Sequence, residues 1–188
     1  HLFVIAAPSG AGKTSLVRAL MERVPSLQFS ISYTTRKQRP NETHGRDYFF
    51  VAKNEFEAMA ARGEFLEHAR VFDNCYGTAR SQVEASLATG QDLILEIDWQ
   101  GAQQIRRALP ECRSIFILPP SRAELERRLR GRGTDAEDVI QRRLQDAATD
   151  MRHWPEFDYV VVNDDFERAL GELHAIVQGR GDAARRER

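Results

Sequence analysis

The chain holds 188 residues, 41% of them hydrophobic, enough to bury one sizeable core, so a single compact unit carrying inserted segments is expected and intrinsic disorder is excluded. Its 27 Lys and Arg nearly balance its 28 Asp and Glu for a net charge of −1, which excludes a global field able to gather nucleic acid or an anionic membrane. Cys75 and Cys112 lie far apart, form no CxxC pair and are too few for a disulfide framework, so a reducing, cytoplasmic setting is expected.

The longest apolar run, Leu2 to Ala7, is closed by Pro8 and is too short for a signal-peptide core or a membrane span. It reads as a buried parallel strand over Leu2–Ala6, and His1 ahead of it suggests a trimmed native N-terminus. A helix over Thr14–Val24 and a strand over Gln28–Ser32 follow. From Ser32 to Thr89 the pattern changes. Short alternating runs at Tyr48–Val51 and Glu64–Val71, with helices at Asn54–Ala61 and Ser81–Leu87, read as a smaller inserted α+β lobe. The alternation then resumes with strands over Leu93–Ile97, Ser114–Leu118 and Tyr159–Val162 and helices over Gln100–Ala108, Arg122–Arg130, Ala136–Arg152 and Phe166–Gln178. The Arg-rich stretch Arg180–Arg188 is expected to fray. Strand and helix alternating in this way imply an α/β fold with a parallel sheet covered on both faces. Residues 1–31 and 90–188 form its core and 32–89 the insertion.

Behind the first strand stands Ala7-Pro8-Ser9-Gly10-Ala11-Gly12-Lys13-Thr14, followed by Ser15. The run fits G-x-x-x-x-G-K-S/T, with Ala7 at the first glycine's place. Gly10 and Gly12 let backbone N–H groups turn inward around a phosphate, and the helix that follows points its positive end there. Lys13 adds a mobile charge and is one of only three lysines, with Lys37 and Lys53. Thr14 offers a hydroxyl to Mg²⁺, a cation that prefers oxygen ligands.

A glycine-lysine loop does not by itself separate motor, GTPase and kinase. A second cluster does: Ser32, Thr34-Thr35-Arg36, Arg39-Pro40, Glu42, Gly45 and Tyr48-Phe49-Phe50 bring two guanidinium groups, hydroxyls and a phenol into one short region. A guanidinium meets phosphate with a planar fork of donors, so this region suits a second anion.

At this point the chain resembles the guanylate kinases of bacterial type, P-loop NTPase-fold enzymes that transfer the γ-phosphoryl group of ATP to GMP. The signature from Thr34 through Phe50 carries the resemblance. It continues through Phe65-Leu66-Glu67-His68, Tyr76-Gly77-Thr78, Glu96-Ile97-Asp98-Trp99-Gln100-Gly101, Arg128 to Gly133 and Val162-Asn163-Asp164.

The resemblance implies that Ala7 to Ser15 hold the phosphates of ATP, with Mg²⁺ arriving on the nucleotide and touching Thr14, and that Asn163 borders the adenine. It implies that Arg36, Arg39, Tyr48 and Tyr76 take the GMP phosphate, and that Ser32, Glu67, Thr78 and Asp98 read guanine. An ionised Glu67 can accept from both N1–H and the exocyclic amine, Asp98 from the amine, and Thr78 can donate to O6. AMP would leave such groups unpaired at about 1–3 kcal/mol each, so rejection of roughly 10⁴-fold is expected. A helical lid within about 122–152 is implied as well, with Arg132 and Arg143 joining Lys13 as the cations that neutralise the transferring group. The family commonly carries Asp where this chain has Glu96, two residues before Asp98 and so expected on the same strand face.

Two other readings compete. A catalytically inactive guanylate-kinase-like interaction module would typically lose P-loop and GMP contacts, which this chain keeps at Lys13, Thr14, Arg36, Arg39 and Glu67. A P-loop kinase of a phosphorylated sugar would have no use for Glu67, Thr78 and Asp98. His44, His68, His153 and His174 lack metal-ligand spacing, and Trp99 and Trp154 read as core or helix-docking residues. ATP and GMP are therefore the expected partners, with no nucleic acid or membrane, and a homo-oligomer is compatible with the sequence.

Overall fold

The computed structural model describes residues 1–131, 136–179 and 181. In chain order the elements are β1 (Leu2–Ala6), α1 (Lys13–Arg23), β2 (Gln28–Phe29), β3 (Tyr33–Thr34), β4 (Phe49–Phe50), α2 (Lys53–Ala61), β5 (Phe65–Val71), β6 (Asn74–Ala79) and α3 (Arg80–Ala88). There follow β7 (Leu93–Glu96), α4 (Trp99–Ala108), β8 (Arg113–Leu118), α5 (Arg122–Gly131), α6 (Glu137–Met151), a 3₁₀ turn at Trp154–Glu156, β9 (Tyr159–Val162) and α7 (Phe166–Val177). Two compact units emerge: His1–Val4 with Ser26–Cys112, and Ile5–Pro25 with the chain from Arg113 onward.

The first unit contains strands in the order β2-β7-β1, with β2 parallel to β7, and a second sheet ordered β4-β3-β6-β5. In that second sheet β3 runs parallel to β4, while β6 runs antiparallel to both β3 and β5. Phe56, Met59 and Phe65 form the core under it, with Tyr33, Val51 and Cys75 packed alongside. The Tyr33 and Phe49 rings stack at 4.7 Å across the β3–β4 pair. Burying an aromatic as fully as Phe56 or Phe65 contributes about 2–3 kcal/mol.

The second unit orders its strands β1-β8-β9, with β8 and β9 parallel from Ile115 opposite Tyr159 to Leu118 opposite Val162. β1 is buried along its whole length, as an apolar run in a parallel sheet must be. Helix α1 stops at Arg23 because Val24 precedes Pro25, whose ring disfavours a helical residue before it. Leu125 and Leu129 of α5 pack on Ile140, Leu144 and Ala147 of α6, while α1 lies against α7.

Most expected elements are present with ends shifted by a residue or two. The strand expected to reach Ser32 stops at Phe29, although the Ser30 N–H still donates to the Ile94 carbonyl at 3.0 Å. Two strands escaped the sequence reading. β3 is two residues long, and β6 carries Asn74 and Gly77, both poor strand formers. Trp154 is 37% exposed rather than docked in a core. No helix among the described residues is long and apolar enough to cross a membrane.

Candidate active site

The glycine turn lies in the second unit, between β1 and α1. Gly10 and Gly12 have φ of 89° and 90°, the left-handed region that costs any other residue strain. Gly12 is also fixed by space: a Cβ there would meet the Asn163 Nδ2 at 2.4 Å. That nitrogen donates to the Ala11 carbonyl at 2.8 Å, so Asn163 pins the loop from the end of β9. Asn163, expected to border adenine, turns one amide N–H onto the loop backbone and also lines the cavity beside it. Arg128 of α5 joins the same chain of contacts, accepted by Glu124 at 2.8 Å and by the Asn163 carbonyl at 2.9 Å. In the sequence, only Glu124 four residues earlier hints at this ordering of Arg128.

A cavity of about 390 Å³ opens here, lined by Gly10, Gly12, Ser15, Arg128, Asn163, Asp164 and Phe166. Phe166 is 40% exposed, an aromatic face that the sequence reading did not single out. Lys13 and Thr14 begin α1, where the helix directs its N–H groups and positive end toward the turn. Arg143 is half-buried on α6. Arg132 lies outside the described residues.

The second cluster belongs to the first unit. Arg36 leaves β3 with its N–H donating to the Thr34 Oγ1 at 3.1 Å, and its Nη2 donates to the Glu42 Oε1 at 2.6 Å. The bond from Arg36 holds the Glu42 carboxyl below its usual range. Glu42 also accepts from the Arg39 backbone N–H at 2.9 Å, which ties both arginines to one carboxylate while the Arg39 side chain stays exposed. The Arg36 guanidinium sits 5.3 Å from the centre of the Tyr48 ring, and the Tyr48 and Tyr76 rings meet edge to face at 6.0 Å. Burial, then the nearby Glu96 charge, push the Tyr48 phenol up to about 12, so it remains an O–H donor at neutral pH.

Beside this cluster lie the residues expected to read a base. Glu67 and Thr78 are paired across β5 and β6 and are 3% and 0% exposed. Thr78 Oγ1 donates to Glu67 Oε1 at 2.6 Å, so the hydroxyl proton expected to reach a base oxygen is engaged by the carboxylate. Desolvation, reinforced by the Asp98 charge, raises the Glu67 carboxyl to about 7 against the partial relief from Thr78. Asp98 is not a strand residue as expected: β7 ends at Glu96, and Asp98 caps α4, its Oδ1 accepting from the Gly101 N–H at 2.9 Å. The strand-alternation argument linking Glu96 to Asp98 fails for that reason. Ser32 is buried, and its carbonyl accepts from the Phe49 N–H at 2.9 Å.

A left-handed glycine turn between a buried strand and a helix beginning Lys-Thr, within a largely parallel sheet flanked by helices, defines a P-loop NTPase-fold protein. The guanylate kinase family model matches residues 1–180. Among curated relatives, the guanylate kinase of Methylococcus capsulatus is 62% identical over 94% of this chain and 87% of its own length. That of Escherichia coli is 56% identical over 94% and 86%. The crystal structure of guanylate kinase from Anaplasma phagocytophilum superposes with a TM-score of 0.80 at 34% identity, covering 96% of this chain and 86% of that one. The chain belongs to the guanylate kinase family and is a GMP phosphotransferase, one of the nucleoside monophosphate kinases.

Proposed function

We propose that the two clusters divide the substrates of the reaction. The glycine turn from Ala7 to Ser15 holds the phosphates of ATP, with Asn163 keeping the turn in shape. The lobe of residues 32–89, joined by Asp98 from α4, holds GMP. Arg36, Arg39, Tyr48 and Tyr76 take its phosphate, and Ser32, Glu67, Thr78 and Asp98 take its base.

The observation that carries this reading is the buried carboxylate Glu67, bonded to Thr78 and electrostatically beside Asp98. A carboxylate stripped of water is costly unless donors arrive to satisfy it. Guanine supplies such donors side by side, N1–H and the exocyclic amine, whereas adenine offers an acceptor at N1. Thr78, which gives its proton to Glu67, aims that carboxylate as well as taking part in reading the base.

The acceptor oxygen of GMP is already anionic, so no general base is needed, and the barrier lies in bringing two polyanions together. Lys13 and Arg143, with Arg132, offset that repulsion as charge shifts from ATP to GMP. Among the described residues no cluster of His, Cys, Asp or Glu could cage a metal, whereas the Thr14 hydroxyl is a hard oxygen donor at the start of α1. That donor set fits Mg²⁺ carried in by ATP, with Thr14 as its protein ligand, where the ion would supply charge neutralisation. The cytoplasm is the proposed compartment.

A coupled assay of ADP release with ATP and Mg²⁺ tests the assignment. GMP is expected to be phosphorylated and AMP rejected by about 10⁴-fold in kcat/KM. Equal use of AMP would overturn the base-reading roles.

A further inference from the structure

Helix α4 meets β5 at an open edge. β5 is the terminal strand in the order β4-β3-β6-β5, so its outer backbone groups face away from any strand. Gln104 fills one pair of them. Its Oε1 accepts from the His68 N–H at 3.0 Å and its Nε2 donates to the His68 carbonyl at 2.8 Å, reproducing with one side-chain amide the two bonds of a β-bridge. One turn earlier, Gln100 Nε2 donates to the Asp98 Oδ2 at 3.0 Å and reaches the Arg70 carbonyl at 3.5 Å. Gln100 and Gln104 are four apart and so share a helix face. Gly101 lies between them and presents bare backbone to Glu67: a Cβ there would stand 2.4 Å from the Glu67 Oε2. Its N–H meanwhile donates to the Asp98 Oδ1.

One helix face thus grips the backbone of the residue after Glu67, fixes both oxygens of Asp98 and allows the two carboxylates to approach. We propose that Gln104 is a positioning residue for acceptor-base discrimination, setting the register of Glu67 on β5 against Asp98 on α4, with Gly101 providing the clearance. Both amide atoms of Gln104 are committed to His68, so it acts through β5 and not on the nucleotide. Glu67 is the next residue along, and any rotation or slip of the chain at His68 re-aims its carboxylate directly. The proposal rests on the reading of Glu67 and Asp98 as acceptors for guanine.

IMP is the discriminating probe, because hypoxanthine keeps N1–H and lacks the exocyclic amine. A misaligned carboxylate pair harms the two-donor base more than the one-donor base, whereas general loss of folded enzyme harms both equally. For Gln104→Leu, kcat/KM for GMP is expected to fall about 30-fold and that for IMP no more than about 3-fold, lowering the GMP:IMP preference about tenfold. The KM for ATP should stay within about twofold, and the circular-dichroism melt gives the folded fraction. Gln104→Glu keeps the acceptor for the His68 N–H and sets a second acceptor against its carbonyl, so its preference should fall partway; it also serves if the Leu variant does not fold. Parallel loss for GMP and IMP in both variants, or no loss, overturns the proposal. Asp98→Asn is the reference: an unchanged GMP:IMP preference there would sink the base-reading assignment itself. A lowered preference in Asp98→Asn with an unchanged one in both Gln104 variants would sink only the positioning role.

Discussion

Phe65 and Glu67 stand two residues apart on one strand yet face opposite sides of their sheet. Phe65 pairs with Ala79 and Glu67 with Thr78, so two steps along β5 match one along β6, a bulge with Leu66 as the extra residue. Ala79 and Thr78 are neighbours on β6 and point to opposite faces, which carries Phe65 and Glu67 to opposite faces as well. Phe65 joins Phe56 and Met59 in the lobe core, and Glu67 is delivered to the polar face with Thr78. Without the extra residue, the carboxylate would lie on the same side as the phenyl rings.

In the proposed base-reading site, Glu67→Gln replaces one acceptor oxygen with a donor facing the donors of guanine. Steady-state kinetics should show kcat/KM for GMP lower by about 10²-fold or more, while the KM for ATP shifts less than about 3-fold. An equal loss for both nucleotides would make Glu67 a structural residue.

The Glu67 carboxyl titrates near about 7 when buried, against 4.5 for an ordinary Glu. A raised pKa means that the fold favours the neutral acid. This contribution to stability is complete below about 4.5 and is lost as pH rises through about 7. The proposed acceptor role for guanine requires the ionised form, so GMP binding should move the other way and tighten with rising pH, by up to about tenfold per unit below the titration point. Calorimetric titration of GMP into the wild type and Glu67→Gln between mildly acidic and mildly basic pH checks this. The phosphate of GMP titrates in both proteins, so a pH trend that persists unchanged in the variant would assign the effect to phosphate.

Lys13→Met removes the cation proposed to neutralise the transferring group and leaves the first unit untouched. Turnover should fall about 10²–10³-fold with the Kd for GMP within about 3-fold, as measured by single-turnover kinetics beside calorimetry. Retained turnover would refute the role of Lys13.

Gly12→Ala carries two separable costs. The left-handed backbone costs an L-residue about 1–2 kcal/mol, and the added methyl meets the Asn163 amide. Denaturant unfolding should therefore show the double variant Gly12→Ala/Asn163→Ala to be less destabilised than the sum of the two single variants, by about 1 kcal/mol or more. Simple additivity would mean that the two residues do not press on each other.

What could be read in the sequence divides along physical lines. β1 and the helices of the alternating core were legible because burial on both strand faces, or on one helix face, leaves a periodic trace. The glycine turn was legible because its chemistry demands a fixed spacing. β3 and β6 were not. Their pairing is nonlocal, and β6 alternates around Gly77 with little apolar content. The bulge at Leu66 breaks the two-residue period within β5, so the strand itself was legible while the face of Glu67 was not. Nothing in Glu96-Ile97-Asp98 marks where β7 yields to the cap of α4, so from sequence alone Asp98 reads as a continuation of the strand. The hold of Asn163 on Ala11 joins positions 152 residues apart and leaves no local trace.

The Arg36–Glu42 contact bears on how strongly an anion can be attracted to this lobe. Its guanidinium already rests against an internal carboxylate, with both side chains only 15% and 16% exposed. On the proposed role of Arg36, an incoming phosphate dianion finds a positive group whose charge is partly spoken for, and docking becomes an exchange of counterions within a sheltered site. Such an exchange releases few salt ions from bulk solvent, so capture of the monophosphate should weaken only shallowly as ionic strength rises. The internal carboxylate also keeps the arginine from wandering when no nucleotide is present.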